Sequence, residues 1–123
     1  MAMDRLKFLE IDGRDVIKDF LKTLSKKEVE KVKRNIDLLN ELGFEKMINT
    51  EMVAGVKGYK NLWYLRAKYR KNIFRIFFFK YKLESVETYI LLHGFQKKTN
   101  QLPESEIQKA VNIKKSVLED LKD

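Results

Sequence analysis

The hydrophobic pattern of the chain changes its period once, and this change limits the fold more than any other feature of the sequence. Between residues 14 and 42 apolar residues recur at intervals of three and four, which is typical of helices that pack by one face. Between residues 61 and 95 the chain is rich in aromatic and β-branched residues, which favour strands. Because the helical and the strand segments are separate in sequence, we expect an α+β domain.

The helical segment predicts a hairpin of two helices with one apolar face. Ser25 and Glu28 have the spacing of a capping box, in which each side chain satisfies a backbone N–H of the first helical turn. Gly43 is expected to end the second helix, since glycine is favoured just beyond a last helical turn. Pro103 suits the first position of a last helix, whose apolar residues continue at helical spacing to Leu121.

The strand segment predicts a meander of three antiparallel strands. Asn72 is expected to adopt a left-handed conformation in the turn between the first two strands. The strands are expected at Leu62–Tyr69, Ile73–Lys80 and Val86–Gly94, with Leu6–Ile11 as a candidate fourth. The complete expectation is an antiparallel sheet of three to four strands packed with two N-terminal helices and a C-terminal helix, as one domain over residues 1–123.

The composition excludes several classes of site. The 123 residues include no cysteine and one histidine, so disulfides, thiolate metal sites and multi-histidine metal sites are excluded. No apolar run approaches the roughly 18 residues of a membrane span, and the N-terminus has no apolar signal stretch. We therefore expect a cytoplasmic protein that has no membrane partner and needs no cofactor.

The net charge of +8 is concentrated in the middle of the chain. Residues 44–100 contain 12 basic and 4 acidic residues, whereas the segments on either side are nearly neutral. A localised excess of positive charge favours a face that binds a polyanion, although a solvated basic surface would have the same composition.

Side chains alternate across a strand, and this alternation places part of the basic excess in a row. On the second predicted strand Arg75 lies among aromatic residues, either as a solvated charge at a sheet edge or as a group held there to bind an anion. Four residues are expected on the polar face of the first predicted strand, each about 6.6–6.8 Å from the next: Tyr64, Arg66, Lys68 and Arg70.

Further basic and aromatic residues flank the predicted strands. Cations that follow phosphates and rings that stack on bases are the usual elements of a site for single-stranded RNA, so Tyr59, Tyr64 and Phe95 are the candidates to stack on bases. The flanking residues are Lys57 and Lys60 in the preceding loop, Lys71 in the turn, and Phe95, Lys97 and Lys98 around the end of the last strand.

Catalysis without a metal is compatible with these residues. The sequence has no phosphate-binding loop, nucleophile elbow or zinc-protease motif, and its basic segment has too few acids for a two-metal nuclease. RNA contains its own nucleophile, the 2′-OH, so a protein need only align it, stabilise charge and transfer protons. Arg66 and Arg75 are candidates to stabilise the charge, and His93 and Lys98 are candidates to transfer protons. Taken alone, His93 is more typical of a buried, hydrogen-bonded histidine near a strand end.

Three motifs, in this order, resemble the RelE/HigB toxin superfamily and more closely its phage-derived HigB-like branch. They are LWYLR at residues 62–66, NIFRIFF at residues 72–78 and LLHGFQKKT at residues 91–99, with Pro103 soon after. The resemblance implies the RelE-like toxin of a type II toxin–antitoxin system, which enters the ribosomal A site and cleaves mRNA there as an endoribonuclease. It also implies a helix-turn-helix antitoxin as partner, and it assigns site roles to Arg66, Arg75, His93, Phe95, Lys97 and Lys98.

Two other functions agree with the same residues. The protein would be a non-catalytic module that binds single-stranded RNA, or a phage-derived accessory protein, if the basic face only binds. It would be a degenerate toxin if it still bound its antitoxin but no longer cleaved RNA. The order of the motifs favours the nuclease over the first alternative, and the intact set of Arg66, Arg75, His93 and Lys98 weighs against the second.

Overall fold

The computed structural model of the protein describes residues 5–97 and 102–122. The predicted helical hairpin is confirmed, and the capping box is present: Ser25 Oγ accepts from the Glu28 backbone, and the Glu28 carboxylate accepts from the Ser25 backbone. The second helix ends before Gly43, which has a φ of 84°. The helices of this part are α1 (Val16–Leu21), α2 (Lys26–Leu42) and the short α3 (Phe44–Met47), which the sequence did not predict.

The sheet has five strands instead of the expected three or four. The three predicted strands form the antiparallel meander, and a short additional strand pairs with its first member. The strands are β1 (Leu6–Phe8), β4 (Val53–Gly55), β5 (Trp63–Tyr69), β6 (Asn72–Leu83) and β7 (Val86–Lys97), in the spatial order β1-β7-β6-β5-β4. A separate two-stranded ribbon consists of β2 (Glu10–Ile11) and β3 (Arg14–Asp15).

The expectation of an entirely antiparallel sheet is wrong, because β1 pairs with β7 in parallel. The predicted strand Leu6–Ile11 is interrupted at Leu9, whose carbonyl oxygen accepts a hydrogen bond from the Val16 backbone. Parallel pairing needs a long connection, and here the chain passes through five strands and three helices before β7 returns to β1. The result is a mixed sheet in an α+β fold.

The turn between β5 and β6 also differs from the expectation. Arg70, and not Asn72, has the positive φ, at 55°. Asn72 is the first residue of β6, and its side-chain amide donates to the carboxylate of Glu28 at 2.7 Å. The turn is therefore joined to the start of α2 by the same glutamate that closes the capping box.

The C-terminal helix α4 (Glu104–Leu121) is confirmed. Pro103 occupies the N-cap position, one residue earlier than expected, and no side chain caps the helix there. Among the helices of the described residues, none is long and apolar enough to cross a membrane.

Both faces of the sheet are covered. The first apolar cluster joins one face to α1, α2 and α3, and it includes Ile17, Leu39, Leu65, Phe74 and Phe78. The second cluster joins the opposite face to α4, and it includes Phe77, Phe79, Leu92, Phe95 and Ile107. Because both faces are buried, a polar side chain in the middle of a strand lies in an apolar environment, and this sets the chemistry of the candidate site.

Candidate functional site

Two arginines lie directly opposite each other on the α4 side of the sheet. Arg66 of β5 pairs in register with Arg75 of β6. The pair of Tyr64 with Phe77 lies two residues away along the same strands, on the same face of the sheet. Residues that face each other in antiparallel strands have Cβ atoms roughly 4.5–5.5 Å apart, so the two cations share one small region. The predicted alternation is confirmed here, since Leu65 and Ala67 belong to the cluster on the opposite face, which packs against α1, α2 and α3.

Arg75 is almost completely buried, with 3% of its surface exposed. Its Nε and Nη1 atoms are buried and have no hydrogen-bond partner among the described residues. The guanidinium lies over the ring of Tyr64, with 5.6 Å from Cζ to the ring centroid. Because β6 is the central strand of the sheet, Arg75 is not a solvated edge charge. The interpretation as a solvated charge at a sheet edge is therefore wrong, and anion binding by Arg75 stays a prediction.

Arg66 is only half-buried, and its backbone is fixed from the other side of the sheet. Its N–H donates to the Met52 carbonyl oxygen at 2.7 Å, and its carbonyl oxygen accepts from Asn35 Nδ2 at 3.0 Å. Asn35 lies on α2 and is 2% exposed. Asn35 was not among the residues predicted from the sequence, although a signal was present: this amide falls among the apolar residues of the buried stripe of α2.

The other predicted cations of β5 and the turn are exposed. Lys68 continues the row beyond Arg66, opposite Ile73, and Lys71 lies in the turn. Arg70 departs from the row, because β5 ends at Tyr69 and the strand alternation ends with it. Its guanidinium lies over the ring of Tyr69, which packs against the cluster on the face covered by α1, α2 and α3.

A β-bulge in β7 directs His93 toward α4. The register shifts between Ile76 and Phe78, so that two residues of β7 face Phe77. His93 is 2% exposed, its ring lies 5.2 Å from that of Phe77, and its Nε2 is 3.0 Å from the Glu106 carboxylate on α4. Its Nδ1 has no partner in the described part of the chain. Burial lowers the pKa of His93, and the hydrogen bond and charge of Glu106 oppose this effect.

Phe95 is likewise buried, with 8% of its surface exposed. It lies opposite Arg75 and stacks on Phe77 at a centroid distance of 5.5 Å. The ring therefore lies in the core beside the buried guanidinium and is not exposed on the surface to stack on a base. Lys97 pairs with Ile73 at the end of β7, and Lys98 lies outside the described residues.

Lys57 and Lys60 belong to the loop before β5 and lie beyond the opposite end of this strand from Lys68 and Lys71. Both are exposed. The loop is fixed to α4 by Lys114, whose Nζ donates to the carbonyl oxygens of Lys60 and Asn61 at 2.8 Å each. Burial lowers the pKa of Lys114. The structure thus separates this pair of lysines from the two central arginines.

No carboxylate in the described residues forms an ion pair with Arg66 or Arg75. Within residues 5–97 and 102–122 no group of three or more potential acidic or histidine ligands is arranged to hold a metal ion. Like charges directly opposite on a sheet destabilise it, and a buried unpaired donor adds a further cost. One tetrahedral oxyanion between the two arginines would compensate both, and a guanidinium fork matches two oxygens of a phosphate.

One family of known proteins matches most of the chain. The family described as phage derived protein Gp49-like (DUF891) matches residues 19–115, which include β5, β6, β7 and both arginines. No curated protein matches the chain. The chain therefore belongs to the Gp49-like family, which is a RelE/HigB-like family of toxins in toxin–antitoxin systems.

Proposed function

We propose that the protein is a ribosome-dependent, metal-independent mRNA endonuclease, the toxin of a type II toxin–antitoxin system within the phage-derived HigB-like branch. The observation that carries the proposal is the buried guanidinium of Arg75 directly opposite Arg66, with two nitrogen atoms that have no hydrogen-bond partner in residues 5–97 and 102–122. A toxin of such a system requires an antitoxin partner, for which we propose a helix-turn-helix protein.

The chemistry follows from the charge of the substrate. Attack of the 2′-OH on the adjacent phosphorus forms a phosphorane that carries more negative charge than the diester, and the 5′ oxygen then leaves with a proton. Arg75 is fixed in the central strand and Arg66 faces it, so both guanidinium groups are positioned to stabilise this charge. Because Arg75 is only 3% exposed, the phosphate reaches it once the half-buried side chain of Arg66 moves aside. Proton transfer is proposed for His93 and Lys98, and phosphate contacts for Lys57, Lys60, Lys68, Arg70, Lys71 and Lys97.

The burial of His93 and Phe95 favours a second candidate, a non-catalytic protein that binds single-stranded RNA. A histidine enclosed by Phe77, Phe95 and α4 reaches RNA only if these groups move. The two functions differ in one respect: only the toxin cleaves the RNA that it binds.

The test is induced expression of the chain, with primer extension on translated messages. The nuclease is expected to stop growth and to cut within reading frames, whereas the purified protein should cleave free RNA poorly because the ribosome aligns the substrate. The upstream fragments should end in a 2′,3′-cyclic or 3′ phosphate. Upstream fragments ending in a 3′-hydroxyl would exclude 2′-OH attack, and normal growth with intact messages would favour the binding protein.

A matched pair of variants separates catalysis from binding. Arg66→Ala should slow single-turnover cleavage on programmed ribosomes by about 10²–10³-fold, because Arg66 acts on charge that develops in the transition state. Lys71→Ala is the control, since this exposed lysine should contribute only to phosphate binding. Its removal should reduce the slope of log affinity against log salt concentration by about one unit at most. Near wild-type cleavage by saturating Arg66→Ala would show that Arg66 is a binding or structural residue.

A further inference from the structure

Tyr64 is the aromatic side chain that contacts the buried guanidinium. It is half-buried on β5, opposite Phe77, and the two rings meet edge to face with centroids 6.5 Å apart and an interplanar angle of 77°. The ring is thereby fixed by a residue of the core cluster on the α4 side. The guanidinium of Arg75 lies 5.6 Å from the centroid of the Tyr64 ring.

The way in which Tyr64 compensates the charge of Arg75 leaves hydrogen-bond donors available. The face of an aromatic ring carries negative electrostatic potential and attracts a guanidinium. A carboxylate would do this by accepting N–H bonds, often two in parallel. The Tyr64 ring attracts the cation without taking those bonds, and Nε and Nη1 of Arg75 have no partner among the described residues.

Arg66 completes the arrangement on the same strand as Tyr64, two residues further along. Its side chain forms no described hydrogen bond or ion pair, whereas its backbone is fixed by Asn35. Tyr64 and Arg66 therefore flank Arg75 from one strand, one by its ring and the other by its charge.

We propose that Tyr64 is a positioning residue for phosphate binding and cleavage. Its ring holds the guanidinium of Arg75 in place, so that the buried Nε and Nη1 donate to a phosphate group shared with Arg66 once the half-buried side chain of Arg66 moves aside. This rests on the proposed function for the identity of the RNA substrate, but not for the binding of the phosphate group. Tyr64 acts through Arg75 and does not stack on a base of the RNA.

The test begins with protein labelled with nitrogen-15, in which the Nε–Hε signal of Arg75 is followed by NMR. Inorganic phosphate and a 2′-deoxy dinucleotide, which cannot be cleaved by 2′-OH attack, are titrated separately. Both probes are expected to shift the Arg75 signal. A shift with the dinucleotide would show that Arg75 binds a phosphodiester and not only free phosphate. No shift of the signal by either probe would overturn the proposal.

Three substitutions then separate the ring from the hydroxyl and from packing. Tyr64→Phe keeps the ring and should bind phosphate within about twofold of wild type, whereas Tyr64→Leu should bind about tenfold more weakly and cleave about tenfold more slowly at saturation. Tyr81→Leu is the matched control, a half-buried tyrosine packed on the same cluster, and should change neither. If Tyr64→Leu does not fold, Tyr64→Met takes its place, since methionine fills irregular space without a ring.

Two results would overturn the positioning role. Equal losses in Tyr64→Phe and Tyr64→Leu would assign the effect to the hydroxyl. Normal phosphate binding and a normal Arg75 signal in Tyr64→Leu, with weaker binding of RNA alone, would show that Tyr64 stacks on a base. Absence of mRNA cleavage by the wild type would instead refute the proposed nuclease, and the ring-dependent binding of phosphate would still be measurable.

Discussion

Replacement of Arg75 by methionine is expected to make the protein more stable and inactive at the same time. The substitution removes a charge from a residue that is 3% exposed, together with two buried nitrogen atoms that have no hydrogen-bond partner in the part of the chain that the structure describes. Methionine is flexible and apolar and fills much of the same space. Replacing buried charges by apolar residues of similar volume is often neutral or stabilising.

The magnitude follows from the contacts of the guanidinium. Each unsatisfied buried donor costs about 1–3 kcal/mol, and a like charge directly opposite adds about 0.2–1 kcal/mol. The cation–π contact with Tyr64 contributes at most about 2 kcal/mol in the other direction. For two donors these terms sum to a gain of roughly 0–7 kcal/mol, and replacing buried charges by apolar residues typically gains about 1–4 kcal/mol. We therefore expect the free energy of unfolding of Arg75→Met to rise by about 1–3 kcal/mol, which corresponds to roughly 4 °C in Tm for each kcal/mol in a domain of this size.

The measurement is urea and thermal unfolding of both proteins in a buffer free of phosphate and sulfate. Arg66→Met is the control, because Arg66 is half-buried and none of its nitrogen atoms is among the buried, unpaired ones of the described residues. It removes only the like charge opposite Arg75, so its free energy of unfolding should rise by no more than about 1 kcal/mol. Added phosphate should raise the Tm of the wild type and not that of Arg75→Met, because a ligand stabilises only the protein that binds it. A loss of more than about 1 kcal/mol in Arg75→Met would show that the guanidinium supports the fold, and the argument for an anion site would fail.

Three further substitutions or conditions test the surrounding structure. Gly94→Ala should lower the free energy of unfolding by about 1–3 kcal/mol in urea, because a Cβ there would lie 2.5 Å from the ring of Phe20; unchanged stability would contradict this close packing. The pKa of His93 is lowered by burial, so the unfolded chain binds the proton first. The contribution of His93 to stability should therefore be complete above about pH 6.5 and fall as the pH drops below it. His93→Gln should flatten this part of the pH profile, and an unchanged profile would refute the assignment. Ser25→Ala removes the N-cap of α2 and should cost about 1 kcal/mol in the same unfolding assay.

Local signals in the sequence predicted the elements whose causes are local. The capping box of Ser25 and Glu28 and the glycine at position 43 fix both ends of α2, and the structure has both. Alternation along β5 separated Arg66 from Leu65 and Ala67 correctly. The fold class and the antiparallel meander were therefore available from spacing alone.

The features that the sequence did not predict depend on contacts between distant segments. The parallel pairing of β1 with β7 gives no local pattern, and β4, with three residues, is too short to show one. The bulge in β7 arises where Phe77 faces two residues, and it directs His93 to α4. Its hydrogen bond to Glu106 joins residues on different elements, so periodicity could not indicate it.

The location of the arginine pair explains why a basic protein would keep a charge in its core. Exposed lysines such as Lys68 and Lys71 attract RNA over a distance, but their side chains must lose freedom to hold a phosphate. Arg75 lies in the central strand between β5 and β7, with Tyr64 and Phe95 beside it, so its geometry is fixed before any ligand arrives. A group that stabilises charge in a transition state is most effective when it needs no reorganisation, and a rigid strand supplies this better than a loop. No carboxylate of the described residues pairs with the guanidinium of Arg75. This one feature is the reason both for the expected loss of folding free energy at Arg75 and for the catalysis proposed for it.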